Sequence, residues 1–541
     1  MGGSSKLYLI AVNGTYAAGV EAFNAMRPFL FLLAGSLLLS ACAPGTRPER
    51  PPSAPVVPAA PLTSLSHQDL QWLERASFGL NEPLVAEYRR LGRAAFLEEQ
   101  LSPAPAPLPP AIAAQIAALQ IERIDPERLL GELHAKRRSM EALAPEQRAA
   151  ARMQFNELGN QLARAAASRE LLQAIYSPAQ LREQMVWFWL NHFSVFQNKA
   201  QLRYLVGDYA EHAIRPHALG HFQDLLMATL EHPAMLQYLD NQQNRLGHIN
   251  ENYAREFMEL HTLGVDGGYS QQDVQQLALI FTGVGINAGP PPRLARPLAA
   301  LYLRDGVFEF NPAHHDMSGK RLLGHRIRGV GFDEVRNAVS LIVQQPACAR
   351  YISRQLATYF VSDTPHTALV ERMAQTFQRT DGDIEAVLRT LFLSQELEAS
   401  LGSKFKDPTR YVVSALRLSY GDRQIVNTTP IINWLRTLGE LPFGHLTPDG
   451  YPLTETAWAS PGQLTMRFEV ARALGSGAPR LFLAEDDGAL PSRASTPAPT
   501  VLSAESFAPY LASHTQEVLA RARSPQERNA LLLSSPEFNY E

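Results

Sequence analysis

Residues 146–176 read EQRAAARMQFNELGNQLARAAASRELLQAIY, and this stretch decides the fold class. Apolar and charged residues recur along it with the spacing of an amphipathic α-helix, and residues 128–143, RLLGELHAKRRSMEAL, repeat that spacing. Together they predict long, charged helices over residues 127–175. A chain organised around helices of this length belongs to the mostly α class.

The helical spacing continues on both sides of this region. It begins near Ser66, where Leu70, Leu73 and Ala76 recur at helical intervals. Further helices are predicted at residues 84–101, 181–193, 203–214, 221–231, 250–263, 270–283, 332–344, 346–361, 366–379, 382–393 and 407–418. We therefore expect residues 66–541 to form a large multi-helix globular domain.

Residues 285–330 break the helical pattern. Leu301 and Leu303 alternate, as do Phe308 and Phe310, and Asp305-Gly306 lies between the two pairs. This arrangement predicts a short β-hairpin that turns at Asp305-Gly306, inside an irregular insertion. Two other linker-like insertions are expected near residues 102–113 and 484–502, where prolines cluster.

The N-terminal region predicts export. Phe29–Leu39 (FLFLLAGSLLL) has the length of a signal-peptide apolar core and is short for a transmembrane helix. Leu39-Ser40-Ala41-Cys42 resembles a bacterial lipobox, which implies cleavage before Cys42 and acylation of its sulfur. Residues 1–41 are then the signal region, and Met26 is a more natural start of translation than Met1. Residues 42–65 contain the lipid-anchored Cys42 and a Pro-rich linker.

Two acyl chains or more would hold the mature protein at a membrane surface. An Asp directly after the lipidated cysteine would favour retention in the inner membrane. This chain has Ala43 at that position, which indicates the outer membrane. The alternatives are a short signal peptide without lipid, or a lone hydrophobic anchor with an accidental cysteine. Either way the expected location is the cell envelope.

Composition excludes several classes of protein. Lys and Arg number 49 against 53 Asp and Glu, so nothing favours nucleic-acid binding. Two cysteines rule out a disulfide scaffold and a Cys-rich zinc site. The sequence contains no Gly-rich phosphate loop and no G-x-S-x-G nucleophile motif.

The densest polar motif is Asn250–Gly264, NENYAREFMELHTLG. On an ideal α-helix Asn252, Glu256 and Glu259 share one flank beside an apolar stripe, whereas His261 points about 140° away from Glu256. Two such close carboxylates bind a divalent metal or share a proton. The alternative is an ordinary helix whose acids form salt bridges.

Other segments supply imidazole and carboxylate groups. His192 ends an apolar stripe of the 181–193 helix, and such a stripe more often belongs to a core. Asp240 ends a short helix, and His315 and Asp316 follow the predicted hairpin. If these segments converge, His192, Asp240, Glu256, Glu259 and His315 would hold a metal, and Glu256, His192 and Asp316 would be catalytic.

Taken together, these segments resemble the bacterial "domain of unknown function" family number 1800, a family of exported proteins. The stretches that carry the resemblance are Arg75–Gly79, Leu181–Glu183, Phe188–Phe193, Pro233–Leu236, Tyr238–Asn241, Asn250–Glu256, Thr262–Tyr269, Phe308 with Phe310, His315-Asp316, Ile352–Arg354, Phe360-Val361, Ser394 with Glu396, Pro442, Pro448–Pro452 and Leu533–Phe538. The resemblance implies no reaction. It does imply an exported partner similar to sulfatases and alkaline phosphatases.

One departure from the family pattern concerns Leu190. Members often have a histidine there, two residues before His192, and if the two imidazoles jointly bound a metal, this chain would lack one ligand.

Two functions stay open from the sequence. The first is a lipid-anchored envelope protein with a binding or assembly role. The second is an exported hydrolase that uses a divalent metal or acid/base groups in a His/Asp/Glu pocket. A haem site has histidines and aromatic residues available but no C-x-x-C-H attachment motif.

Overall fold

The computed structural model describes residues 65–102, 106–421, 423–484 and 511–541. The predicted signal region, Cys42 and the linker up to residue 64 lie outside the described residues, as does nearly all of the predicted linker 484–502. The structure is 62% helical and 4% strand, which confirms the mostly α class.

Two helix predictions are corrected by the structure. The helix predicted over 84–101 is divided at Gly92, whose φ is 74°, and the one predicted over 203–214 is a succession of short 3₁₀, α and π turns. Most of the α-helices match the sequence periodicity. Their bounds are α1 His67–Arg75, α2 Glu82–Leu91, α3 Arg93–Leu101, α4 Pro110–Ala117, α5 Pro126–Glu141, α6 Pro145–Tyr176, α7 Gln180–His192, α8 Val206–Asp208, α9 Phe222–Glu231, α10 Pro233–Tyr238, α11 Asn252–Glu256, α12 Gln271–Ile280, α13 Arg296–Ala299, α14 Phe332–Val343, α15 Pro346–Phe360, α16 Thr367–Arg379, α17 Ile384–Phe392, α18 Gln395–Ser400, α19 Pro408–Tyr420, α20 Thr429–Thr437, α21 Pro461–Gly475, α22 Ser513–Ala520, α23 Pro525–Leu533 and α24 Pro536–Asn539. No helix within the described ranges combines the length and the apolar character needed to cross a bilayer.

Shorter helical turns connect several of these elements. The 3₁₀ turns are Gln120–Arg123, Leu202–Tyr204, Arg215–His217, Asn241–Gln243, Glu455–Ala457 and Pro479–Phe482. Two segments are π-helical, Tyr209–Ile214 (π1) and Phe257–Thr262 (π2). Single π turns inside helices are rare and often occur at functional positions.

The π2 segment corrects the prediction of one regular helix over residues 250–263. The backbone N–H of Leu263 donates to the Met258 carbonyl oxygen, five residues back, and the Thr262 hydroxyl donates to the Phe257 carbonyl oxygen at 2.6 Å. The wider turn changes which side chains face the core. His261 becomes fully buried, and Leu260, predicted in the buried stripe with Tyr253 and Phe257, is only half-buried.

The predicted hairpin is confirmed and belongs to a small antiparallel sheet. Strand β1 (Val284–Ile286) pairs with β3 (Phe308–Phe310), and β3 pairs with β2 (Leu303–Asp305) through the turn at Gly306. All three residues of β3 are buried. A second, two-stranded pair, β4 (Arg321–Leu322) with β5 (His325–Arg326), was not predicted.

The core of the described residues has two main hydrophobic clusters, which meet at α6 and α7, and a small third cluster of Leu511, Leu519 and Leu532. The larger cluster contains α1 to α3, α7, α9 to α12 and α14 to α17. The smaller cluster forms around the last turns of α6 together with α19, α20 and α21. Helix α19 is buried along its whole length, so its N-terminus lies inside the protein.

Charged groups are also buried near this N-terminus. The Arg410 guanidinium donates to the Glu541 carboxylate at 2.7 Å, and Arg75 lies 3.7 Å from the same oxygen. All three residues are at most 2% exposed. Pairing compensates for burial of these charges, because removing one partner would leave the others uncompensated.

Candidate functional site

A cleft forms between helix α7, the N-terminus of α19 and the loop of residues 438–453. The loop starts where α20 ends in a Schellman motif: Gly439 adopts a φ of 85°, and the Glu440 N–H donates to the Leu435 carbonyl oxygen at 2.9 Å. A left-handed residue is required there, and glycine supplies it without strain. The motif places Glu440 at the edge of the cleft, which we call the Glu440 cleft.

The far end of the loop is held by α7. The Asn191 side-chain amide donates to the Tyr451 carbonyl oxygen at 2.9 Å, and its carbonyl oxygen accepts from the Tyr451 N–H at 2.6 Å. The Tyr451 hydroxyl donates back to the Leu441 carbonyl oxygen at 2.9 Å. These bonds join two stretches that carry the family resemblance, Phe188–Phe193 and Pro448–Pro452.

The N-terminus of α19 brings two carboxyl groups into the cleft. Asp407 caps the helix by accepting from the Arg410 N–H at 2.7 Å, and Glu440 accepts from the Thr409 N–H at 2.8 Å. Burial raises the pKa of Glu440 well above its usual value, and the neighbouring Asp407 carboxylate raises it further. Glu440 is therefore protonated more readily than an exposed glutamate, and it lies beside a second carboxyl.

Aromatic and polar side chains line the rest of the cleft. The aromatic ones are Phe78, Trp187, Tyr359, Phe443, His445 and Tyr451. The polar ones are Glu170, Asn191, Ser194, Asp407, Thr409 and Glu440. The enclosed space between them is only about 50 Å³, and it reaches about 660 Å³ when the open solvent at the mouth is counted. A concave, largely aromatic space with a few polar groups is the usual form of a ligand site.

The indole nitrogen of Trp187, which belongs to this lining, has no hydrogen-bond partner among the described residues. The hydroxyl of Thr409, a residue that is 3% exposed, lies against the Glu440 carboxyl and favours its charged form. Leaving a buried polar group unpaired costs about 1–3 kcal/mol. Such atoms are available to a ligand that fills the cleft.

His192 lies on the opposite side of α7 from the Glu440 cleft. Its Nε2 donates to the His261 carbonyl oxygen at 3.0 Å, and its ring lies 6.1 Å from that of Tyr351. Burial lowers the pKa of His192 to about 4, so the imidazole is neutral at neutral pH. His261 is fully buried, and neither of its ring nitrogens has a partner among the described residues.

Leu190 lines the Glu440 cleft instead. Residues two apart on an α-helix point about 200° apart, which explains why positions 190 and 192 face different surroundings. Two histidines at these positions would therefore not share a metal through this helix. The absence of a histidine at position 190 does not bear on His192.

Glu256 and Glu259 do lie close to each other, as predicted. Both are half-buried. Burial raises the pKa of Glu256, and the negative charges of Glu259 and Asp449 raise it further. Asp449 belongs to the 438–453 loop, and neither Glu256 nor Glu259 lines the Glu440 cleft. On the same helix, Arg255 forms an ion pair with Glu251 at 3.1 Å.

The other predicted ligands have partners of their own. Asp240 lies 2.8 Å from the Lys199 ammonium. His315 is buried, and its Nδ1 donates to the Thr282 carbonyl oxygen at 2.8 Å. Its Nε2 lies 3.3 Å from Lys320, which pairs with Glu334.

Asp316 is held locally. Its carboxylate accepts from the Ser318 N–H at 2.8 Å, and its own N–H donates to the Thr282 hydroxyl at 2.9 Å. In the predicted catalytic set, His192 and Asp316 are thus bonded to separate partners, whereas Glu256 lies beside Glu259.

In the ranges that the structure describes, no three His, Cys, Asp or Glu side chains are placed to hold a metal ion. The predicted ligands His192, Asp240, Glu256, Glu259 and His315 are not gathered by the fold, apart from Glu256 with Glu259. The reason is that α7, the π2 helix and the segment after the sheet present their polar groups to different neighbours.

Sequence inspection missed Glu440, Asp407 and Thr409 as site residues. Asp407-Pro408 was visible as the start of a helix, and the Pro448–Pro452 stretch as part of the resemblance, but neither indicates a cleft. Glu440 is far from both in sequence and reaches them through the end of α20. Only the tertiary packing of α7, α19 and α20 brings these groups together.

The chain was compared with known proteins. A family model described as "Protein of unknown function (DUF1800)" matches residues 71–540, nearly the whole chain. The stretches that carry the resemblance in the sequence fall within this range. No curated protein and no solved structure matches the chain.

Proposed function

This chain belongs to the family of proteins of unknown function DUF1800, and we propose that it is an exported, lipid-anchored protein of the cell envelope that binds a ligand in the Glu440 cleft. The export part is supported by the signal-like run Phe29–Leu39 and by the lipobox-like Leu39–Cys42. The Pro-rich residues 43–62 would separate the folded domain from the membrane.

The binding part is carried by one observation: the cleft brings the Glu440 and Asp407 carboxyl groups together with the unpaired indole nitrogen of Trp187 and several aromatic rings. A protein without a ligand at this place would gain stability from apolar side chains there. Binding sites commonly retain polar groups that lower the stability of the free protein, because the bound ligand forms hydrogen bonds with these groups.

A binding role is better supported than metal-dependent hydrolysis. The predicted metal ligands have separate partners, whereas the cleft joins two of the family-like stretches, Phe188–Phe193 and Pro448–Pro452. An exported partner similar to sulfatases and alkaline phosphatases stays a prediction from the family resemblance alone.

Mass spectrometry of the protein from bacterial membranes tests the anchor. We expect a polypeptide that begins at Cys42 and carries acyl chains, and a Cys42→Ser variant that is not acylated and leaves the membrane fraction. An uncleaved N-terminus with a free Cys42 thiol in the wild-type protein would remove the lipid anchor.

Native mass spectrometry of the protein extracted from its own envelope tests the cleft. We expect a bound small molecule in the wild-type protein and its loss in Leu190→Trp, because the indole would fill the cleft. The matched control is Leu393→Trp, since Leu393 is 63% exposed and lies outside the cleft lining. Equal occupancy in the two variants would place the ligand elsewhere.

A further inference from the structure

We propose that the hairpin formed by β4 and β5 docks on the anionic phospholipid headgroups of the membrane that holds the lipid anchor. Residues 320–328 are called the arginine hairpin below, because they contain Arg321, Arg326 and Arg328. The inference rests on the lipid-anchor part of the proposed function and does not depend on the Glu440 cleft.

The insertion that contains the arginine hairpin is basic. Residues 285–330 have seven Lys and Arg against three Asp and Glu, although the whole chain has a net charge of −4. The side chains of Arg321, Arg326 and Arg328 are all exposed. A basic surface on a chain that is otherwise acidic indicates an anionic partner for that surface.

Two of the three arginines lie directly opposite each other. In the antiparallel register Arg321 pairs with Arg326, and Leu322 pairs with His325. Directly opposite residues share one face of a hairpin with their Cβ atoms about 5 Å apart, and like charges in such a pair are destabilising. Arg328 follows Arg326 by two residues, the period at which the side chains of a strand return to one face. Leu322 is fully buried, so the arginines lie on the outer face, where contact with an anionic surface would remove their repulsion.

The protein itself does not neutralise this face. The Arg321 Nη2 donates to the Gly324 carbonyl oxygen at 2.6 Å, and no Asp or Glu among the described residues forms an ion pair with any of the three arginines. A nearby carboxylate, that of Asp333, is paired with Arg336 at 2.9 Å. The guanidinium groups are therefore available to phosphate, which arginine binds through paired hydrogen bonds.

Hydrogen bonds to helix α12 fix the position of the arginine hairpin. The Leu323 N–H donates to the Asp273 carboxylate at 2.6 Å, and the Arg321 N–H donates to the Gln276 side-chain oxygen at 2.9 Å. Leu323 and Gly324 form the two-residue turn with φ values of 50° and 79°, the positive pair typical of a type I′ turn. A positive φ is uncommon for leucine, and the bond to Asp273 stabilises it here. The three guanidinium groups thus extend from a fixed support.

Exposed apolar side chains accompany the arginines. Val330, two residues after Arg328, is 57% exposed, and Met317, three residues before Lys320, is 45% exposed. The interface of a membrane accepts basic and apolar side chains together. A soluble phosphate compound would contact the arginines alone, so the combination favours a lipid surface.

The chain between Cys42 and the folded domain is long enough for this contact. The described residues begin at Leu65, 23 residues after Cys42, and a chain of that length spans at most about 80 Å. A compact domain of about 480 residues has a radius of gyration of about 23 Å, so the tether allows any of its faces to reach the membrane. Three arginines near an anionic surface would then favour this face on the order of 100-fold.

Hydrogen exchange of the acylated mature chain in lipid nanodiscs tests the inference. One preparation contains phosphatidylcholine alone, and the other contains phosphatidylglycerol as well, while the same anchor holds the protein in both. We expect the amides of residues 321–329 to exchange at least about fivefold more slowly in the anionic discs. The difference should disappear at about 0.5 M NaCl, where charges are screened within about 4 Å.

A charge-matched pair of variants identifies the surface. The hairpin variant carries Arg321→Gln, Arg326→Gln and Arg328→Gln. The control variant carries Arg138→Gln, Arg152→Gln and Arg164→Gln, at exposed positions of α5 and α6. The hairpin variant should lose the protection on anionic discs, and the control should keep it. The two lipid compositions and the salt dependence decide the outcome with the wild-type protein even if the hairpin variant fails to fold.

The remaining outcomes distinguish this inference from the lipid anchor. Equal exchange in both kinds of disc, or protection that persists in the hairpin variant, overturns the inference. Protection in phosphatidylcholine discs on addition of soluble glycerol phosphate overturns membrane docking and indicates a free phosphate ligand. A chain that enters neither kind of disc contradicts the lipid anchor. Sedimentation with phosphatidylglycerol vesicles then decides the inference, which falls unless binding requires the three arginines.

Discussion

The side chain of Asn191 bonds to both polar groups of the Tyr451 backbone, accepting from its N–H at 2.6 Å and donating to its carbonyl oxygen at 2.9 Å. Helix α7 thereby holds the 438–453 loop as a neighbouring β-strand would. The loop in turn carries Glu440, His445 and Tyr451, three groups of the cleft. The Asn191 amide therefore helps to fix the shape of the cleft, together with bonds from Gln197 to Phe443 and from Tyr238 to Leu446.

Replacing Asn191 with alanine should loosen the loop. Both Tyr451 backbone groups would lose their partner, at a cost of about 1–3 kcal/mol in the free energy of unfolding. Urea unfolding measures the cost, and hydrogen exchange should accelerate in residues 441–453. The control is Asn433→Ala on the exposed face of α20, which should change stability by less than about 0.5 kcal/mol. Unchanged exchange in the loop would show that other contacts hold it.

Gly450 allows the loop to approach Asn191. Its φ is 73°, and a Cβ built there would lie 2.3 Å from the backbone carbonyl oxygen of Asn191. Gly450→Ala should therefore cost about 3 kcal/mol, from backbone strain and from the displaced loop.

Gly247 offers a matched control for this prediction. Its φ is 80°, but nothing lies within 4 Å of a Cβ built there. Gly247→Ala measures the backbone strain alone, about 1–2 kcal/mol, so the difference between the two variants in urea unfolding reports the contact. Equal losses in both variants would contradict a close approach at Gly450.

The regular elements could be predicted from the sequence because their periodicity is strong. The 32-residue helix α6 was anticipated in its position, and the turn at Gly306 follows from alternating Leu303, Phe308 and Phe310. The capping box of Ser270 with Asp273 was also recognisable, because it depends on two residues three apart.

The candidate site could not be predicted from the sequence. It depends on departures from regular α-helix geometry and on contacts between residues that are far apart in the chain. The prediction for Asn250–Gly264 assumed 100° for each residue, and the π2 turn changed the directions of Leu260 and His261. Glu440 and Thr409 are 31 residues apart and meet only through their helices. No local pattern in either segment indicates the contact.

The π2 turn leads to a prediction about His261. Its imidazole is fully buried, and neither ring nitrogen has a partner among the described residues. Burial lowers its pKa far below the usual value, so the ring is neutral. His261→Leu should increase the free energy of unfolding by about 1 kcal/mol, since an apolar side chain avoids the unpaired nitrogens.

His192→Leu provides the contrast to this variant. It removes the hydrogen bond to the His261 carbonyl oxygen and should destabilise the protein by about 1 kcal/mol. Chemical unfolding at pH 7 distinguishes the two. A loss of stability in His261→Leu would mean that the imidazole has a partner beyond the described protein groups.

The raised pKa of Glu440 predicts that the free energy of unfolding decreases as pH rises. Its pKa is raised in the folded protein by burial and by Asp407, so the folded state keeps a proton that the unfolded state releases near pH 4.3. Stability from this group is complete below about pH 4 and is lost as pH rises through the folded pKa.

Glu440→Gln removes this loss because the amide carries no charge and its oxygen still accepts the Thr409 N–H. The variant should equal the wild type in stability at pH 4 and exceed it at pH 8 by an amount on the order of 1 kcal/mol. Glu517→Gln, at an exposed carboxyl, should show no such trend. Urea unfolding of the three proteins from pH 4 to pH 8 measures the difference. A Glu440→Gln protein that became less stable than the wild type with rising pH would show that the ionised carboxylate is stabilised in the fold, by Arg410 and the Thr409 hydrogen bonds.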